Sequence, residues 1–256
     1  GEMLNAAGFS DSPHLFFSGY DDKGDWFQLF QIGFGGVPGR PIGDGPDGHS
    51  LWPSFTNVRN EFVEADLRLR VEKYEFIVEC VGAGRHRGGN GLSVAYRFLV
   101  DGHIGIHDDR WLTYPWGVNG GKPGMRSTKL LVRADGSEEY IPAKCEDVKV
   151  QKGDLLYFNT WGGGGWGDPL QRDPAIVASD VAKKLVSVEG ARRYGVVLNN
   201  DLTLNDKETK SLRAEMSKDT VKDEMFNFGG TIDEIKSKSL EETHLAAPVS
   251  PTFANQ

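Results

Sequence analysis

Three groups of residues have side-chain types and spacings suited to chemistry. In Gly43-Asp-Gly-Pro-Asp-Gly-His-Ser50, the Asp-x-x-Asp-x-His pattern brings Asp44, Asp47 and His49 together. Carboxylate oxygens and an imidazole can hold a cation or move a proton, and aspartates capping turns explain the same pattern. Asp108, Asp109 and Arg110 form a second group, able to orient polar groups, bind a cation or make turn and ion-pair contacts. Gly82-Ala-Gly-Arg-His-Arg-Gly-Gly-Asn-Gly91 sets Arg85 and Arg87 among accessible amides, where a phosphate or carboxylate could be received or structural acids paired. It lacks the lysine and hydroxyl of a phosphate-binding P-loop and the spacing of a dinucleotide fingerprint.

These residues need elements to hold them, and the strongest positional signal is Gly162, Gly163, Gly164 and Gly165 between Trp161 and Trp166. Ordering four consecutive glycines costs more backbone entropy than ordering any other run, so a folded run implies a tight main-chain site or crossing. A flexible linker is the rival reading. The β-like approach Asp154 to Phe158, the two indoles and the Asp168-Pro169 exit favour an ordered segment.

Short alternating runs separated by glycine turns fill the body from Leu15 to Thr160. Leu15 to Phe17 and Trp26 to Phe34 read as a hairpin, Glu61 to Val78 as a strand region, and Leu92 to Val100, His103 to His107, Leu130 to Arg133, Glu139 to Ile141, Val148 to Val150 and Leu155 to Phe158 as further strands. The predicted class is α+β and β-rich, an antiparallel sandwich or barrel-like body with C-terminal helices. The expected division is 1–168 as the β-rich domain, 169–216 as a helical segment opening at Asp173-Pro174, and 217–256 as a charged tail. Met225, Phe226, Phe228 and Ile232 are apolar anchors with which that tail could wrap a partner.

Composition narrows the function. A net charge of -8 disfavours a nonspecific nucleic-acid or anionic-membrane role. Cys80 and Cys145 lack metal-ligand spacing and read as buried free thiols in a reducing compartment, with a disulfide open as an alternative. No apolar stretch reaches membrane-span length, so a cytoplasmic location is expected. No nucleophile elbow, helical zinc-protease motif or cysteine pair for zinc occurs.

Several ordered motifs carry a family resemblance: Gly43 to Ser50, Leu69-Arg-Val-Glu-Lys-Tyr74, Gly82 to Gly91, Asp108-Asp-Arg110, Trp116-Gly-Val-Asn-Gly-Gly-Lys-Pro-Gly124 and Thr160-Trp-Gly-Gly-Gly-Gly-Trp-Gly-Asp-Pro-Leu170. From about Phe16 to Leu198 the chain resembles the C-terminal half of the hydantoinase B/oxoprolinase family. Within it, the chain looks closest to the large subunits of ATP-dependent acetone and acetophenone carboxylases. The resemblance implies a subunit of a heteromeric ATP-dependent ketone carboxylase, inactive alone. The alternatives are an ATP-dependent hydantoinase or oxoprolinase-type cyclic amidohydrolase subunit, and a noncatalytic assembly subunit.

The same resemblance implies ATP with Mg or Mn, bound mainly by other subunits, and a divalent metal of unknown identity. Implied partners are a hydantoinase-A-like ATP-handling subunit, an N-terminal-half or second hydantoinase-B-like subunit, and a small carbonyl substrate, with no nucleic acid or membrane. In that chemistry Asp47, His49, Asp108 and Asp109 are proton-transfer or metal-contact candidates. Arg85, Arg87 and Arg110 would contact a carboxylate or phosphate, the amides of Gly162 to Gly165 would stabilise an oxyanion, and Trp161 and Trp166 would form pocket walls.

Overall fold

The computed structural model describes residues 4–8, 13–49, 56–218 and 225–249. Residues 1–3 and 9–12, Ser50 of the aspartate-histidine motif with residues 51–55, and residues 219–224 and 250–256 of the tail lie outside the described residues.

Alternation builds the body. In β1 (His14–Tyr20) and β2 (Trp26–Ile32), every second side chain turns inward, and Asp21 closes the hairpin between them by accepting from the amides of Lys23 and Asp25. A short helix α1 (Asn60–Asp66) precedes β3 (Leu69–Phe76), so the strand expected from Glu61 begins later. Its first part is a helix of about two turns, on which only Val63 is buried.

The remaining strands are β4 (Leu92–Phe98), β5 (Gly102–His107), β6 (Gly117–Val118), β7 (Thr128–Val132), β8 (Glu138–Tyr140), β9 (Lys144–Val150) and β10 (Leu155–Asn159). Apart from β6, these and the first three strands form one antiparallel sheet in the order β2-β1-β5-β9 and another in the order β3-β4-β10-β7-β8. Leu15, Phe17, Leu29, Ile104 and Ile106 of the first meet Leu69, Phe98, Leu131, Leu156 and Phe158 of the second in one core. The sheets are arranged as a sandwich, and neither closes into a barrel.

Helices concentrate toward the C-terminus. Asp173 caps α2 (Pro174–Ala182), whose Val177 and Val181 join Val81, Ala83, Ala191, Tyr194 and Val196 in a second, smaller core. A short 3-10 helix over Gly190–Tyr194 ends at Gly195, whose φ of 64° suits glycine. Asn205 caps α3 (Asp206–Met216). The strand β11 (Phe226–Asn227) pairs with β6, and Thr231 and Glu234 make a capping box for α4 (Ile232–Thr243). Phe228 lies against Trp116, and Arg126 pairs with Glu242, so this part of the tail lies on the chain's own body.

Candidate functional site

The glycine-rich stretches converge on one another. The Gly162 amide donates to Met125, Gly163 to Gly89, Gly164 to Ala7 and Gly165 to Lys122, while the carbonyls of Gly163, Gly164 and Gly165 accept from Gly82, Gly39 and Val118. Gly162 and Gly165 thus bond to one neighbouring segment and the residues between them to others. That three-residue repeat is the period of an extended polyproline-type strand, here surrounded by other backbones instead of solvent. A Cβ at Gly162 would stand 1.9 Å from the Cys80 oxygen, and one at Gly88 1.8 Å from the Gly163 oxygen. The segments approach so closely that no side chain fits between them.

A charged network sits on one flank. Arg172 reaches both carboxylate oxygens of Asp44 at 2.7 Å and Asp180 Oδ2 at 2.7 Å. Arg87 grips Asp47 through two bonds of 2.8 and 3.1 Å, and Asp47 Oδ1 also accepts from the Asn90 amide at 2.7 Å. Asn90 in turn donates to the Leu185 carbonyl. These contacts tie the loop at 44–47 and the crossing at 85–90 to α2, and both arginine side chains are almost wholly buried. Their forked geometry matches carboxylates in two-point contact.

Burial alone would raise the Asp44 carboxyl, but Arg172 and Arg87 outweigh it and hold the group below its usual value of 3.8. Stability from this ionised group is full above that value and is lost as pH falls through the lower folded pKa. Arg172→Lys, which loses the fork, is therefore expected to cost about 2 kcal/mol in urea unfolding and to move acid unfolding to higher pH.

His86 stands at the rim of this network, with Nδ1 3.8 Å from Asp44 Oδ1 and its ring 5.8 Å from that of Trp166. Burial pushes the imidazole below 6.5, against the pull of Asp44 and with help from Arg85 and Arg172. The shift favours the neutral ring, which is partly exposed, and its backbone is held by paired bonds to Trp166. The arginines on either side obscured this histidine in the sequence, where its only signal was its place in Gly82 to Gly91.

The sequence candidates divide between two places. Asp47, Arg87, Gly162 to Gly165 and Trp166 gather around the glycine crossing, with Arg85 exposed beside it and bonded through its amide to Gly167. His49 is exposed, and its backbone pairs with Gly35 while Asp47 turns toward Arg87. Asp108 lies elsewhere, wholly buried and 2.6 Å from the equally buried Lys129 Nζ. Asp109 pairs with Lys144, and Arg110 donates to the Gly8 carbonyl beneath Trp116.

Two expected roles are corrected by this geometry. The four glycine amides already donate to carbonyls and so offer no oxyanion hole. Trp161 is wholly buried against Gly35, where a Cβ would meet the indole at 2.5 Å, so it packs the interior and walls no opening.

Among the described residues no group of three or more His, Cys, Asp or Glu is placed to hold a metal ion. Asp44, Asp47 and Asp108 are each engaged by a cation of the chain itself. No helix among the described residues is long and apolar enough to cross a membrane.

An antiparallel sandwich joined to backbone-packed glycine crossings is the setting in which known proteins can be compared. A model described as hydantoinase B/oxoprolinase matches residues 1–169, and the chain belongs to that family. The match occupies the N-terminal two-thirds of the chain and replaces the expected assignment to a C-terminal half running from Phe16 to Leu198.

The B-type component of a putative D-/L-hydantoinase from Pseudomonas sp. (strain NS671) is 30% identical over 81% of this chain and 36% of its own length. The beta component of a caprolactamase from Pseudomonas jessenii is 32% identical over 60% of this chain and 27% of its own. A nucleotide-free acetone carboxylase structure shares the fold with a TM-score of 0.70 at 18% identity, covering 93% of this chain and 36% of that one. The chain thus spans about a third of the length of these proteins.

Proposed function

We propose that the chain is part of a multisubunit, ATP-dependent enzyme that opens cyclic amides of the hydantoin, oxoproline or lactam class. The observation that carries this reading is the 30% identity to a putative hydantoinase component across 81% of the chain. The caprolactamase relative adds a second name built on a ring amide. Likeness to acetone carboxylase at 18% identity speaks for the fold alone, so the amide-opening reading stands ahead of ketone carboxylation.

Within that assembly a companion subunit, of the hydantoinase-A-like type, handles ATP and its Mg or Mn, which would activate the amide carbonyl toward cleavage. The division into 1–168, 169–216 and 217–256 is retained as part of this proposal. His86, its imidazole pushed toward the neutral form by burial and lying 3.8 Å from Asp44, takes the proton-transfer role in preference to Asp47, Asp108 and Asp109, each paired with a cation of the chain, and to the exposed His49. Asp44 steadies the imidazolium that proton uptake creates, and Trp166 flanks its ring. Asp47 and Arg87 position the loop that presents this pair.

The test is coexpression with the companion subunits, followed by assays of ATP-dependent ring opening on hydantoin, 5-oxoproline and caprolactam. Bicarbonate-dependent carboxylation of acetone and acetophenone is measured alongside. Ring opening is expected, and carboxylation without it would refute the proposal. In the active assembly His86→Asn should lower kcat about 100-fold with the complex intact. An unchanged rate would remove His86 from the mechanism, and loss of assembly would assign the chain a scaffolding role.

A further inference from the structure

β2 is one of the two edge strands of the four-stranded sheet, and it lacks the usual protection of such an edge. Its sequence Trp26-Phe-Gln-Leu-Phe-Gln-Ile32 has no charge and no proline over seven residues. Two observations fix which backbone groups look away from β1. At one end the Asp25 carbonyl accepts from Asp21 across the hairpin, so the odd-numbered residues face β1. At the other, the Ile32 amide and carbonyl are both taken by the side-chain amide of Asn57, at 3.2 and 2.6 Å, so the even-numbered residues face outward.

Asn57 thus closes the edge at Ile32. Trp26, Gln28 and Phe30 present their amides and carbonyls to no partner among the described residues. Their side chains share the outer face of the sheet, where Trp26 is 60% and Phe30 46% exposed. Phe30 is held in place by His14 and Phe16, with ring separations of 5.1 and 4.9 Å.

The spacing aromatic, amide, aromatic is symmetric about Gln28. We infer that β2 pairs antiparallel with β2 of a second copy of this chain, joining the two four-stranded sheets across a twofold axis at Gln28. In that register Gln28 faces its own counterpart, and Trp26 faces Phe30 of the partner subunit at both ends. Every outward-facing pair can exchange both backbone hydrogen bonds. A twofold contact requires a self-complementary surface, and cross-strand aromatic pairs are among the favourable ones. A strand of unrelated sequence would satisfy the backbone but would not explain the symmetry of the side chains.

The test is sedimentation velocity on the full chain across a concentration series. The wild type is expected to dimerise. Gln28→Lys places two ammonium groups opposite each other at the axis and should raise the dimer dissociation constant about tenfold or more. Gln28→Glu should do the same, and an equimolar mixture of the two variants should recover the dimer. Gln28 is exposed, so unchanged circular dichroism would show both variants folded. A wild type that stays monomeric at all concentrations, or a dimer indifferent to both substitutions, would overturn the inference. Loss by Gln28→Lys of a companion subunit from an otherwise monomeric chain would overturn it in favour of that subunit's strand.

Discussion

Gly163→Ala is expected to destabilise the protein by at least about 3 kcal/mol, although it adds one methyl group. The new Cβ would lie 2.2 Å from the Val37 oxygen and 3.1 Å from the Gly89 nitrogen, both main-chain atoms. Neither can swing aside as a flexible side chain would. Relief requires separating the segments, which breaks the bond from Gly163 to Gly89 at 2.9 Å and that from Gly89 to Val37 at 2.8 Å. For a chain of this size the melting temperature should fall on the order of 10 °C. Gly43→Ala is the control, since nothing lies within 4 Å of its Cβ position and the change should stay within about 0.5 kcal/mol. Equal melting temperatures for the two variants would mean that the glycine crossings tolerate separation.

Asp108→Ala is expected to cost about 3–5 kcal/mol in chemical unfolding, because it strands a buried cation. Lys129 keeps only the Asn159 carbonyl at 3.0 Å and the Phe158 ring at 4.2 Å once its carboxylate partner is gone. Arg110 also loses the acceptor of its amide. Burial already lowers the Lys129 pKa, with Asp108 opposing the shift. Adding Lys129→Met to Asp108→Ala removes the stranded charge and should recover at least half of the loss. A double variant no more stable than the single one would place the cost in the Arg110 turn instead.

The contrast between these sites shows what kind of information a linear chain carries. Four glycines between two tryptophans announce a need for bare backbone, since ordering them is otherwise wasteful, and the structure meets that need with interlocking main chains. Alternation in Leu15 to Phe17 and Trp26 to Phe34 likewise specifies strands, because each side chain's face follows from the period of the backbone. At Glu61 to Asp66 the same reading failed, since so short a run is decided by what Val63 can reach.

The site residues were legible only as types. Arg172 and Asp44 are 128 residues apart, and Lys129 and Asp108 are 21 apart, so no spacing rule couples them. His86 looked like one member of a basic turn until folding set it between Asp44 and Trp166. The amides of Gly162 to Gly165 could have served an anion or one another's neighbours, and only the converging segments assigned them to carbonyls.

By itself, then, the sequence determined the strand-rich class, the helical C-terminal material and the demand for side-chain-free crossings, all of which depend on local period and backbone freedom. The tertiary structure decided which charge meets which, which tryptophan is buried and which strand is left at an edge. Those outcomes depend on distances between segments remote along the chain, and such distances exist only once the sheets and glycine strands have packed.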